Sequence, residues 1–137
     1  NLGSLFRPAE CAGVHGVVVP RHNSAEVTDA VVRASAGATE HMHIAQVTNL
    51  VNTIKDLKGQ GFWIIGADMQ GEQDYFKCAI PEPTAIVIGG ENQGLRRLVK
   101  ENCDLLLRIP MKGAISSLNA SVAGALIIYE VIRQRSS

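Results

Sequence analysis

Short apolar runs alternate with longer amphipathic stretches along this chain, and that rhythm constrains its fold more than any other feature. Residues 15–20 (His-Gly-Val-Val-Val-Pro), 42–48, 62–66, 85–89 and 105–110 are predicted strands, short apolar runs built on Val and Ile, with Leu in the last, and bounded by Gly, Pro or Asn. Between the first two, Ser24 caps a predicted helix whose Val27, Ala30, Val31 and Ala34 fall on one face, with Gly37 as its stop. Asn49 caps a second helix with Leu50, Val51, Ile54 and Leu57 on one side and Gly59 at its end. Residues 95–103 and 119–134 complete the helical set. Residues 67–83, with Gly71, Pro81 and Pro83, read mostly as loop with room for a short helix. Strands that alternate with helices predict an α/β parallel sheet with helices on both faces, because a parallel pair needs a crossover. Continuously apolar strands agree with a sheet covered on both sides.

At 137 residues the chain makes one domain with a single core. Lys and Arg number 13, as do Asp and Glu, so the formal charge is zero. That excludes a uniformly basic nucleic-acid-coating domain, but not a local patch. Arg21, Arg96, Arg97 and Lys100 form a candidate patch for phosphates, each contact weakening with salt, with a solvated helix face the equal alternative for residues 96–100. Cys11, Cys78 and Cys103 show no zinc-ligand or disulfide spacing and fit a reducing cytoplasm. His41 and His43 share a strand face without a third ligand, so no metal site is expected. No apolar run approaches the ~20 residues of a membrane span, no signal-peptide pattern is visible, and no G-x-S-x-G nucleophile elbow is present. A cytoplasmic domain away from membranes is expected.

In open parallel sheets, ligands bind beyond the carboxyl ends of the strands. Three polar stretches fall at such positions. Asn1-Leu-Gly-Ser-Leu-Phe-Arg7 reads alone as a capped helix start with a surface arginine. Gly89-Gly-Glu-Asn-Gln-Gly94 joins a buried strand to a helix. It lacks the GK[ST] of a P-loop and the glycine spacing of a dinucleotide fingerprint. It is open to two readings, an anion- or ligand-accepting backbone and a tight turn in which Glu91 simply favours a helix N-terminus. Ile109-Pro-Met-Lys-Gly-Ala-Ile-Ser-Ser-Leu-Asn119 ends a strand and opens the closing helix, where Ser117 or Asn119 can serve as an ordinary N-cap. In that helix Ala120, Ser121, Ala123, Gly124 and Ala125 permit close backbone packing in a core. Because the helix is apolar nearly all round, a subunit interface is also open.

Together, in this order and spacing, the three stretches resemble the motifs of the SpoU (TrmH) family of SPOUT methyltransferases, which move a methyl group from S-adenosylmethionine to an RNA ribose 2′-OH. N-x-G-x-x-x-R is matched by Asn1, Gly3 and Arg7. The apolar strand and G-x-E-x-x-G are matched by residues 86–88, Gly89, Glu91 and Gly94. I-P-M followed by S-L-N-x-S is matched by Ile109, Pro110, Met111 and by Ser117, Leu118, Asn119 and Ser121. Residues 12–17 and 34–38 look like the branch that modifies a guanosine in 23S ribosomal RNA; a transfer RNA substrate and a noncatalytic RNA-binding relative are the alternatives.

The resemblance implies a deep C-terminal trefoil knot, built from residues 88–94 and 109–119, that holds the cofactor. Ile88, Gly89, Gly90, Ile109, Met111 and Leu118 are its implied cofactor residues, with backbone groups of Gly89, Ile109 and Leu118 on adenine and ribose. Such a slot reads a purine edge through N–H and C=O groups, so it needs small and apolar side chains. The implied catalytic set is Arg7, with Asn1, Glu91, Ser117 and Asn119 orienting it and the ribose. A guanidinium keeps its proton and makes a poor general base. Stabilising the developing alkoxide or gripping the adjacent phosphate suits it better. The family acts as homodimers with the active site near the interface.

The match has two departures. Pro8 stands where the family has a small or polar residue, so the helix carrying Arg7 is expected to start at about Ser4 or later, or to kink there. The family also has a strand before its first motif and often an N-terminal RNA-binding domain. Residues 1–137 are therefore expected to be a catalytic domain without them.

Overall fold

A computed structural model describes residues 7–9, 11–20, 43–89, 94–113 and 120–136. The chain divides into two compact units, Asn1–Leu50 and Val51–Ser137.

In the first unit, Arg7, Pro8, Ala9 and Cys11 are helical. The Pro8 carbonyl accepts a hydrogen bond from the Ala12 N–H (3.0 Å), and Val14 donates to the Ala9 carbonyl (3.0 Å). Gly13, at φ +77°, takes the left-handed turn that lets Val14 reach back, as in a Schellman stop. Pro8 thus lies in helical backbone; the start of that helix falls outside the described residues. Strands β1 (Gly16–Pro20) and β2 (His43–Val47) pair in parallel, Gly16 opposite His43 and Pro20 opposite Val47. Both match the apolar runs at 15–20 and 42–48. The helix predicted from Ser24 to Gly37 lies outside the described residues, as does His41.

The second unit holds a four-stranded parallel sheet. Its strands are β3 (Trp63–Ala67), β4 (Gln73–Asp74), β5 (Thr84–Val87) and β6 (Leu105–Arg108), in the order β4-β6-β3-β5. Ile64 and Ile65 are both 0% exposed. Successive strand residues point to opposite faces, so β3 is covered on both sides. One face holds Ile65, Leu107, Cys78, Ile80 and Val131, with Tyr75, Ile86 and Leu105 packed against them.

Helix α1 (Leu50–Gly59) turns Ile54 inward. Its stop lies later than the sequence pattern suggests. Gly61, at φ +98°, is the left-handed residue; its N–H donates to the Lys58 carbonyl and Phe62 donates to Leu57, both at 3.0 Å. Gly59 remains helical. Two glycines were on offer, and Gly61 is the one placed to close both bonds.

Two further elements depart from the sequence reading. Within the segment read as loop, β4 adds an edge strand to β6, with Gln73 opposite Leu107 and Asp74 opposite Arg108. Both Nε (2.9 Å) and Nη2 (2.7 Å) of Arg108 donate to Asp74 Oδ1. Two residues are too few to show a periodicity. Helix α2 (Arg97–Glu101) is shorter than the predicted 95–103: Arg96 is extended (φ −68°, ψ 154°), and Asn102 closes the helix by donating its side-chain amide to Leu98 O at 2.8 Å.

The closing helix α3 (Ala120–Arg135) buries Gly124, Ile127, Ile128 and Val131 along one stripe. Its last turns are fastened by polar groups. Gln134 donates to Cys78 O (2.7 Å) and to Glu130 Oε2 (2.8 Å), and accepts from the Ile80 N–H (2.9 Å). Glu130 is buried, but Arg133 pairs with both its oxygens, at 2.9 and 2.8 Å. These bonds hold its carboxyl down at about 2, with Arg133 contributing most and Gln134 next.

Candidate functional site

All four strands of the second unit run the same way, so their carboxyl ends share one edge. Residues 68–71 follow β3, 75–77 follow β4, Ile88 and Gly89 follow β5, and 109–113 follow β6. Ile88 and Gly89 therefore lie at the same edge as Ile109, Pro110 and Met111, with the end of β3 between them. All five are half-buried and none carries a formal charge.

Gly89 is constrained by its surroundings. A Cβ built on it would sit 2.3 Å from the Gly94 carbonyl carbon, 2.4 Å from its oxygen and 2.7 Å from the Leu95 nitrogen. The two glycines that bound the G-x-E-x-x-G stretch thus touch backbone to backbone, and Gly94 is itself left-handed at φ +66°. The sequence offers Gly89 as a turn residue; the structure shows that its missing side chain lets the segment close on itself.

An ion pair stands beside this edge. Asp68, directly after β3, pairs with Lys100 of α2 at 3.0 Å, and its side chain is only 9% exposed. Asp68 Oδ1 also accepts the Gln70 N–H (2.8 Å), and the Asp68 N–H donates to Leu107 O (3.0 Å). The carboxylate thereby ties the turn after β3 to the helix that follows the glycine segment. Gly71 completes that turn where a Cβ would meet Leu106 O at 2.8 Å. Sequence reasoning missed Asp68; an acidic residue closing an apolar strand is its only local signal. Lys100, read as a phosphate contact, is engaged by this buried carboxylate. Arg96 and Arg97 are both exposed, Arg97 with Glu101 at 3.8 Å, a surface pair too weak to keep it from a phosphate. Arg21 lies outside the described residues.

Of the implied site residues, the structure brings together Ile88, Gly89, Ile109 and Met111. Arg7 is helical and exposed in the first unit. Asn1, Gly90, Glu91, Ser117, Leu118 and Asn119 lie outside the described residues, as do most of the segments from which a knot would be built. Cys103 Sγ, which would meet a Cβ on Gly66 at 2.8 Å, is no nucleophile: burial above all pushes its thiol up to about 11. Among the described residues no group of three or more His, Cys, Asp or Glu could hold a metal ion.

The pattern of the SpoU rRNA Methylase family matches residues 1–129. The chain belongs to the SpoU rRNA methylase family. A protein of Staphylococcus saprophyticus whose name assigns it to the TrmH family of tRNA/rRNA methyltransferases is 49% identical over 135 residues, covering 98% of this chain and 54% of the relative. YacO of Bacillus subtilis, similarly named, is 46% identical over 135 residues, with the same coverage. Among solved structures, the SpoU methyltransferase AviRb from Streptomyces viridochromogenes, in complex with AdoMet, superimposes with a TM-score of 0.87 at 33% identity, over 98% of this chain and 53% of AviRb. An RNA 2′-O ribose methyltransferase superimposes with a TM-score of 0.88 at 30% identity, over 99% and 52%. The chain thus spans about half the length of these SpoU-family proteins. Its parallel α/β fold is that of SpoU methyltransferase structures.

Proposed function

We propose that this chain is the S-adenosylmethionine-binding catalytic part of an RNA ribose 2′-O-methyltransferase, acting on a guanosine of 23S ribosomal RNA. The observation that carries the reading is the carboxyl edge, which holds both the Gly89–Gly94 contact and, across the end of β3, the uncharged, half-buried Ile109–Met111 backbone. Such a surface fits a purine. It offers backbone N–H and C=O groups to the base edge, and no side-chain charge has to be desolvated when the base packs against it. When bound, S-adenosylmethionine supplies an electrophilic methyl group on a sulfonium.

In this reading Ile88, Gly89, Gly90, Ile109, Met111 and Leu118 hold the cofactor, in a knot formed by residues 88–94 and 109–119. Arg7 stabilises the alkoxide that develops on the ribose or holds the neighbouring phosphate, since a guanidinium keeps its proton. Asn1, Glu91, Ser117 and Asn119 orient Arg7 and the ribose, and holding two reactants in line removes several kcal/mol of barrier. The names of the Staphylococcus and Bacillus relatives support an RNA substrate, and AviRb supports the cofactor. A homodimer in the cytoplasm completes the proposal. Val122, Leu126 and Tyr129 are exposed at i, i+4 and i+7 of α3, one apolar face suited to a second copy. Among the described residues no helix is long and apolar enough to cross a membrane.

The test is calorimetry with S-adenosylmethionine on the full-length protein, followed by methyl transfer to 23S ribosomal and transfer RNA transcripts with ribose-level mapping. Binding and 2′-O-methylation of ribosomal RNA, abolished by Arg7→Ala or Asn119→Ala, is the expected result. Methylation of transfer RNA alone would reassign the substrate. A folded protein that binds no cofactor would be a noncatalytic relative.

A further inference from the structure

Residues 74–77 make a tight turn at the carboxyl edge. Lys77 donates its N–H to the Asp74 carbonyl at 3.0 Å, and Tyr75 donates to the Arg108 carbonyl at 2.8 Å. The second bond sets the turn flush with the end of β6, where the Ile109–Met111 segment begins. Turn tips ordinarily carry small polar residues. This one displays Phe76, 48% exposed, in a chain whose Trp, Tyr and Phe number 1, 2 and 3.

Phe76 is held from behind. Its ring meets Tyr75 edge-on, with centroids 5.4 Å apart and planes at 77°, and Tyr75 is packed against the core. The Lys77 ammonium lies over one face of the Phe76 ring, 5.8 Å from its centroid, which leaves the other face for a base. Asp74 lies 3.6 Å from that ammonium but takes two closer bonds from Arg108, so it matches the lysine charge only in part. Lys112 is exposed on the loop after β6, at the same edge. Glu72 precedes β4, at the other end of that strand. An exposed aromatic face with cations around it suits an unpaired base and its phosphate. Base–aromatic stacking works for any base, and lysine meets the backbone as a point charge.

We propose that Phe76, backed by Tyr75, is a stacking platform for an unpaired base of the RNA substrate, and that Lys77 meets that nucleotide's phosphate. The proposal rests on the RNA-methyltransferase reading and adds a substrate contact outside the cofactor loops.

The test uses the full-length enzyme, with steady-state methyl transfer to ribosomal RNA and binding of a fluorescent single-stranded RNA without cofactor. Phe76→Ala raises the KM for RNA about tenfold, as loss of one stacked base should. The affinity for S-adenosylmethionine keeps its wild-type value. Phe76→Trp restores KM because it returns a π face; Phe76→Leu, apolar without one, does not. Lys77→Ala reduces the salt dependence of RNA binding by about one phosphate contact. A wild-type KM in Phe76→Ala, or full rescue by leucine, overturns the platform. So does a change in sedimentation without a change in RNA binding, which would mark a protein interface. If the wild type transfers no methyl group, the enzymatic reading falls, and the cofactor-free RNA titration of the same variants decides the platform by itself.

Discussion

Replacing Gly89 by alanine adds a single methyl group where the structure leaves none room. The new carbon would lie 2.3 Å from the Gly94 carbonyl carbon and 2.7 Å from the Leu95 nitrogen. That is about 1 Å short of ordinary contact, and the obstructing atoms are backbone, with no rotamer to yield. Overpacking of this kind costs about 1–3 kcal/mol, with the damage centred on residues 89–94. For a domain of this size, the melting temperature should fall by about 3–10 °C. Displacing that backbone by about 1 Å should weaken S-adenosylmethionine binding by roughly 100-fold, by analogy with misplaced catalytic geometry. Scanning calorimetry and cofactor titration of the full-length protein measure both. Gly59→Ala is the control: a Cβ there has nothing within 4 Å, and alanine in a helix is better than glycine by up to about 1 kcal/mol. If Gly89→Ala melts and binds cofactor like the wild type while Gly59→Ala behaves as described, the Gly89–Gly94 contact is not what shapes the site.

The end of α3 offers a stability test. Gln134→Ala leaves the Ile80 N–H and the Cys78 carbonyl without their side-chain partner and should cost about 1–3 kcal/mol; an unchanged urea midpoint would contradict the assignment. Glu130 supplies a pH test. Its folded value of about 2 lies below its ordinary 4.5, so its stabilisation is present above 4.5 and is lost as pH falls towards 2. Glu130→Gln should flatten that acid limb, by up to about 3 kcal/mol between the two extremes. A wild-type acid unfolding curve in the variant would rule the pair out as its source. Thiol labelling with iodoacetamide at pH 8 should modify exposed Cys11 and spare Cys103, whose thiolate fraction is about one in a thousand with its thiol at about 11. Equal labelling of the two in folded protein would show that the burial of Cys103 is not maintained.

The sequence by itself determined what depends on near neighbours along the chain. Apolar runs placed β1, β2, β3, β5 and β6 to within a few residues, apolar spacing placed α1, and a long apolar stretch opened by polar caps placed α3, because such signals are written in consecutive residues. The motif resemblance identified the family and brought Gly89 and Ile109 forward as site residues before any distance was known. Tertiary structure alone decided what depends on partners far along the chain. Edge strand β4 exists through its pairing with β6 and the Asp74–Arg108 bonds, across 34 positions. Asp68 gains its role only because β3 and α2 bring Lys100 to it. α3 is apolar nearly all round, so its pattern could not say that Ile127 and Val131 face inward while Leu126 and Tyr129 face out. The order β4-β6-β3-β5 sets Phe76, Met111 and Gly89 along one edge, which no local pattern encodes. Even Gly89, legible as a glycine in a turn, acquires its reason from the backbone of Gly94. Short-range sterics and hydrophobic period are properties of consecutive residues, whereas contact between distant ones follows only when the whole chain has closed around its core.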